Sequence, residues 1–177
     1  MTETPAVRRV RLSDAARVRS IRLEALADPV ADIAYLETRA QAEARPDEYW
    51  QERTAGAALS GSAAQFIAEA GRDWVGTVTV LIPEVGSEDY FGRVAVEGRA
   101  LVVAVYVRPS HRGRGTLDGL MDAAAEWATA SGQSEIALDV HEDNARARRA
   151  YARLGFTATG VTSDGPHGAE LEMVRVL

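Results

Sequence analysis

The 177-residue chain contains no cysteine, and its 20 basic residues are all arginine. Without cysteine there is no disulfide, no cysteine-held zinc or iron–sulfur cluster, and no thiol nucleophile. Without lysine there is no Schiff base, no pyridoxal linkage and no Walker-loop lysine. Long hydrophobic runs are missing too. The longest, Ala100 to Val107, has the length of a strand and falls far short of the roughly 18 apolar residues of a membrane-crossing helix. The first residues, MTETPAVRRVRLSDAA, hold no apolar segment of the signal-peptide kind. The expectation is a cytoplasmic protein with no membrane partner. The formal net charge of −6 argues against nucleic acid as a partner, which usually requires a basic face. His111, His141 and His167 show no metal-ligand spacing, so no metal is expected and all three read as surface or turn residues.

What is present is ordinary for a globular chain: 46% hydrophobic and 26% charged residues. No repeat or low-complexity linker divides it, and residues 1–177 are expected to form a single domain. Val7 to Leu12 reads as a strand, and Ser13 as the cap of a helix running to about Ala27 and closed by Asp28-Pro29. Leu36 to Leu59 reads as further helix, restarted near Pro46. Gln65–Glu69 and Trp74–Ile82 form a hairpin about Gly71, followed by a long acidic loop from Pro83 to Gly98. Arg99 to Val107 is apolar throughout, the pattern of a central strand. Helix is expected over Gly115–Ala130 and Asn144–Leu154, and strand over Glu135–Val140, Phe156–Val161 and Glu170–Val176. Strand–helix alternation in the second half implies an α/β arrangement, a mixed sheet with helices on its faces.

The chemistry concentrates in VYVRPSHRGRGTLDGLMDAA, where an apolar strand runs into an Arg-Gly-Arg-Gly loop that opens directly onto a helix. Free N–H groups at a helix start, with the positive end of the helix dipole, favour an anion. Gly113 and Gly115 permit close backbone approach, and the arginines add charge. A phosphate or pyrophosphate is the natural guest; a solvated basic turn is the alternative. The loop is neither a Walker loop nor a dinucleotide fingerprint.

This stretch resembles the GCN5-related N-acetyltransferase (GNAT) family. The family pattern Gln/Arg-x-x-Gly-x-Gly/Ala is met at Arg112 and Gly115 and departs at Leu117, which shares the helical spacing of Leu120, Met121 and Ala124. A second stretch, NARARRAYARLGF, is similar to the family's Asn-x-x-Ala-x-x-x-Tyr-x-x-x-Gly-Phe at Asn144, Ala147, Tyr151, Gly155 and Phe156. The resemblance implies an α/β (α+β) acyl-CoA N-acyltransferase fold, with a mixed central sheet of about seven strands flanked by four helices. It implies acetyl-CoA as cosubstrate, bound by Arg112, Gly113, Arg114, Gly115, Thr116 and Leu117 around the pyrophosphate. The backbone of Val105, Tyr106 and Val107 would lie along the pantetheine arm, splayed from the neighbouring strand at a bulge.

Asn144 is expected to cap its helix and, by the resemblance, to contact coenzyme A. Tyr151 is the implied general acid, protonating the departing thiolate; the alternative is a tyrosine merely packed on the apolar helix face. Asp139, where some family members carry a glutamate, is the implied general base; Glu97 is the other acidic candidate, and a solvated carboxylate is the alternative for both. Within the group Arg146, Arg148, Arg149 and Arg153, a solvated helix face is weighed against a contact to the 3′-phosphate. The implied acceptor is a primary amine of a small molecule or peptide N-terminus, drawn by Glu84, Glu88, Asp89 and Glu97 if it is cationic; a loop that merely solubilises the chain is the alternative for these four. Dimers are common in the family, which leaves monomer and homodimer both open. A non-catalytic acyl-CoA-binding or sensor module is the competing reading.

Overall fold

The computed structural model describes residues 4–177. Seven strands form one sheet: β1 (Ala6–Arg9), β2 (Ala63–Ala70), β3 (Asp73–Leu81), β4 (Arg99–Val107), β5 (Glu135–His141), β6 (Thr157–Gly165) and β7 (Gly168–Val176). Their spatial order is β1-β2-β3-β4-β5-β7-β6. Every neighbouring pair is antiparallel except β4–β5, which is parallel. Helices α5 (Thr116–Ala130) and α6 (Ala145–Arg153) cover one face. Helices α1 (Ala15–Ala25) and α4 (Asp47–Leu59), joined through the short α2 (Ala31–Ala34) and α3 (Arg39–Glu43), cover the other.

Alternation along the strands sends side chains into two cores. One gathers Val78, Val80, Val102, Ile136, Leu138 and Val140 against Leu120, Met121 and Ala124 of α5 and Phe156. The other gathers Ile67, Trp74 and Tyr106 against Val18, Ile21 and Trp50. Helix α5 sits close over β3: a Cβ at Gly76 would lie 2.9 Å from Leu120 Cδ1 and 3.1 Å from the Tyr106 carbonyl. Only glycine admits that approach.

The structure corrects several sequence expectations. Ser13 does not cap α1; it lies in a 3₁₀ turn over Leu12–Asp14, and the Asp14 carboxylate accepts the Arg11 N–H at 2.8 Å. Helix also resumes after Asp28-Pro29, as α2. The span from Leu36 divides into α3, opened by a Thr38–Gln41 capping box, and α4, opened at Pro46. Strands β6 and β7 run on to a tight turn at Pro166-His167, through the residues read as turn-rich.

Strand β4 shapes the site. Pairs Thr79–Val103 and Thr77–Tyr106 show one extra residue in β4 between two points of its ladder with β3. Ala104 absorbs it at φ 53, a left-handed conformation uncommon outside glycine. The bulge reverses the alternation, so Val102 and Tyr106, four residues apart, enter opposite cores. Its other consequence is separation from β5. The parallel ladder covers only Arg99–Leu101 against Glu135–Ala137, while both strands run on.

Candidate active site

The gap between the diverging ends of β4 and β5 opens into a cleft of about 620 Å³, within the range of small-molecule sites. Two β4 carbonyls beside it are held by side chains. The Tyr35 hydroxyl donates to the Val105 carbonyl at 2.8 Å, and Arg112 Nε donates to the Val107 carbonyl at 2.7 Å. Tyr106 turns its side chain to the other core, where its hydroxyl donates to Glu24 at 3.0 Å. Arg108 also binds Glu24 and, with that phenol, holds its carboxyl below the usual range despite partial burial.

After β4, a 3₁₀ turn over Pro109–His111 leads to Gly113 (φ 69) and Gly115 (φ 81), both in the left-handed region. No side chain caps the start of α5, and a Cβ at either glycine would meet nothing within 4 Å. The α5 N-terminus is thus open to an anion, as an amide cradle requires. Arg112, Gly113, Gly115 and Leu117 line the cleft together with Val105, Tyr106, Val107 and Asn144. Leu117 also packs on the α5-side core. Arg114 is exposed away from the lining, and Thr116 is buried with its hydroxyl donated to the His111 carbonyl at 3.2 Å. Arg112 is bound by Asp28. Burial would raise that carboxyl, but Arg112 and the Val30 N–H outweigh it and hold it below its usual range.

Tyr151 reaches the cleft from α6, buried beside Phe156 with ring centroids 5.9 Å apart. Burial pushes its phenol up, so it is protonated at neutral pH. Tyr35 lies in the same cleft, its phenol pushed up to about 12, chiefly by burial. Asn144 caps α6, its Oδ1 accepting the Ala147 N–H at 3.2 Å, while the residue also lines the cleft. Of the α6 arginines, Arg146 and Arg153 line it, whereas Arg148 donates to the Glu142 carbonyl at 3.0 Å.

Asp139 lines the cleft, but both its oxygens are taken by Arg93, at 2.8 and 2.6 Å. Arg93 comes from the long loop, where it also binds Asp89 at 2.7 Å. That loop is a small hairpin, tied by Gly86 N–H to Ala95 C=O at 3.0 Å and Asp89 N–H to Arg93 C=O at 2.9 Å. Arg93 pins it to the sheet. Glu84, Glu88 and Glu97 stay exposed and outside the cleft lining.

His141 is not a surface residue: it is only 2% exposed. The Asp143 N–H donates to its Nδ1 at 3.1 Å, so Nε2 carries the proton and faces the His167 carbonyl at 3.1 Å. His141 lines the cleft, but both its ring nitrogens are engaged within the protein. The α2 residues Ile33 and Ala34 line the cleft, as does Glu170, which nothing in the sequence singles out. The alternation of Glu170 and Glu172 with Leu171 and Met173 marked two strand faces, but only the β5 register shows which face adjoins the cleft. Among the described residues, no three His, Asp or Glu side chains are grouped to hold a metal, and no helix is long and apolar enough to cross a membrane.

A splayed strand pair, a glycine-lined helix start and a cleft tyrosine meet in this one cleft. Residues 28–156 match the family model described as "Acetyltransferase (GNAT) family", and the chain belongs to that family. An acetyltransferase of the GNAT family from Streptococcus pneumoniae has the same fold, with a TM-score of 0.76, 19% identity, and 99% of each chain covered. The PaiA N-acetyltransferase of Thermoplasma acidophilum, solved in complex with coenzyme A, follows at a TM-score of 0.72 and 15% identity, covering 99% of this chain and 100% of that one. In sequence, the chain is 34% identical to streptothricin acetyltransferase of Streptomyces lavendulae over 83 residues, which span 42% of this chain and 44% of the relative.

Proposed function

We propose that residues 1–177 act as one acetyl-CoA-dependent N-acetyltransferase domain, moving acetyl directly from the thioester to a primary amine. The observation that carries this reading is the β4–β5 splay, with the uncapped α5 N-terminus at one end and Tyr151 inside. The pyrophosphate would lie on the amides around Gly113 and Gly115, with Arg112 as its charged partner. The pantetheine arm would pair with the β4 backbone at Val105 and Val107, as an added strand does.

Arg112 and Tyr35 already occupy β4 carbonyls, and Asp28 holds Arg112. A ligand bonding to these groups therefore competes with internal bonds. Tyr151 is the general acid for the leaving sulfur; such help is typically worth about 10²- to 10⁴-fold. Asn144 serves both as helix cap and as a polar contact. With no cysteine in the chain, the amine attacks the thioester itself and no acetyl-cysteine forms.

The partial likeness to streptothricin acetyltransferase makes streptothricin the first acceptor to test, beside spermidine and a short peptide with a free N-terminus. Thiol release from acetyl-CoA with any of them supports transfer. Acetyl-CoA binding without release on every acceptor favours the sensor alternative, and no binding removes both readings.

A further inference from the structure

An ammonium acceptor must lose a proton before its nitrogen can attack, and this inference rests on the transferase reading above. Four carboxylates line the cleft: Asp28, Asp118, Asp139 and Glu170. Asp28 is bound to Arg112, and Asp139 is bound through both oxygens to Arg93. Asp118 stands exposed in the first turn of α5, at the phosphate end. Glu170 is different. It is half-buried on β7, and among the described residues no guanidinium or N–H holds its carboxylate.

The place of Glu170 follows from the sheet. It pairs with His141, and Glu172 with Asp139, so these four side chains share one face. The opposite face carries Leu138, Val140 and Met173 into the core that contains Tyr151. Tyr151 and Glu170 therefore reach the cleft from opposite faces of the sheet. This separation lets one group take the proton of the incoming amine while another stands ready to protonate the leaving sulfur. Glycine at 165 makes room for the carboxylate: a Cβ there would stand 3.1 Å from Glu170 Cγ and 3.3 Å from Oε1.

The surrounding charges are committed elsewhere. Arg93 holds Asp139 and Asp89; Glu172 binds Arg99 at 3.2 Å and the Thr159 hydroxyl at 2.9 Å; Glu142 faces the Ala169 N–H at 3.3 Å; both His141 nitrogens are engaged. From β6, Ser163 and Gly165 bring no charge. Burial pushes the Glu170 carboxyl above its usual range, with the Asp139 charge adding to the rise.

We propose that Glu170, and not Asp139, is the base that takes the ammonium proton of the acceptor, directly or through one water. The step balances with three protons. One passes from the ammonium to Glu170 and on to solvent. The freed nitrogen forms the C–N bond as the C–S bond breaks. Tyr151 gives its proton to the departing sulfur and recovers one from the new amide nitrogen through water. The third proton stays on the amide. Asp139 is a positioning residue that fixes Arg93 and the loop.

The test compares the parent protein with Glu170→Gln, Glu170→Asp and Asp139→Asn, using acetyl-CoA and whichever of streptothricin, spermidine or the peptide the parent acetylates. At neutral pH, Glu170→Gln should lower kcat by about 10²-fold with acetyl-CoA affinity unchanged, which also reports an intact fold. The deficit should narrow as pH rises to where the acceptor deprotonates by itself, about 10 for an alkylamine and about 8 for a peptide N-terminus, and Glu170→Asp should restore part of the rate. Parent-like kcat in Glu170→Gln overturns the proposal. So does a deficit that is constant across pH and accompanied by weaker acetyl-CoA binding. A larger, pH-narrowing deficit in Asp139→Asn than in Glu170→Gln returns the role to Asp139. No turnover by the parent on any acceptor removes the transferase reading and this proposal with it, whereas an active parent with an equally active Glu170→Gln removes only the proposal.

Discussion

Tyr151 and Tyr35 show how two phenols in one cleft acquire different work. The Tyr151 hydroxyl has no hydrogen-bond partner among the described residues, and burial keeps it protonated. It is therefore a proton held in reserve. Tyr151→Phe keeps the packing on Phe156 and removes only that proton. Turnover should fall by about 10²- to 10⁴-fold, while acetyl-CoA affinity by calorimetry stays where it was. Unchanged turnover would take the acid role from Tyr151. The Tyr35 hydroxyl, in contrast, is spent on the Val105 carbonyl. A ligand that uses that carbonyl competes with this hydroxyl for it. A protein hydrogen bond is worth about 0.5–1.5 kcal/mol net, so Tyr35→Phe should tighten acetyl-CoA binding by roughly 2- to 10-fold. The ring still stacks under Arg22, 4.8 Å from its centroid, so the fold should survive. Weaker binding in this variant would mean the ligand uses the Tyr35 hydroxyl instead of replacing it.

Among the elements, the bulge in β4 has the widest consequences. One residue at φ 53 reverses the side-chain alternation and accompanies the parting of β4 from β5. Alanine tolerates this conformation at some cost; a β-branched side chain does not. Ala104→Val should destabilise the protein by roughly 1–3 kcal/mol, seen as a lower urea midpoint. It should also weaken acetyl-CoA binding, because straightening the strand narrows the splay. Loss of stability with unchanged binding would separate the bulge from the site. The sequence displayed the β4 strand through eight apolar residues in a row, although Leu101, Val103, Ala104 and Val105 end only partly buried. It did not display the bulge, because alanine at 104 carries no turn signal. The helix starts at Gly115 and Asn144 were legible because capping and glycine chemistry are local. Helix α2 was not: Asp28-Pro29 reads as a local stop, yet four residues from Ala31 return to helix. The Arg93–Asp139 pair lies 46 positions apart and has no periodicity to announce it. That pairing is what changes the reading of Asp139, while Glu170 emerged only from the register of β7 on β5.

At the scale of the whole molecule, the absence of lysine sets the electrostatics. Every ion pair within the described residues uses arginine, including Arg8 with Asp14 and Glu69, Arg108 with Glu24 and Arg112 with Asp28. These cations stay charged beyond pH ~12, so no pair is lost near pH ~10, where lysines would deprotonate. The alkaline limit passes to the tyrosines. Burial raises the phenols of Tyr35, Tyr106 and Tyr151 above the ordinary value of about 10, Tyr35 to about 12. A group whose pKa is raised by folding stabilises the fold fully below its unfolded value, and that contribution is lost as pH rises through the folded one. Stability should therefore be flat from pH ~8 to the ordinary tyrosine pKa of ~10, then fall steeply toward about 12. Urea midpoints across that range, followed together with phenolate absorbance, check this. Phenolate should appear in the same step as unfolding for these three side chains. Glu170 follows the same rule at lower pH, since burial raises its carboxyl too. At pH ~7 its ionised form opposes folding, so Glu170→Gln should raise the melting temperature while it lowers turnover. A lower melting temperature in that variant would show that the carboxylate is held by partners in the folded state and is not free in the cleft.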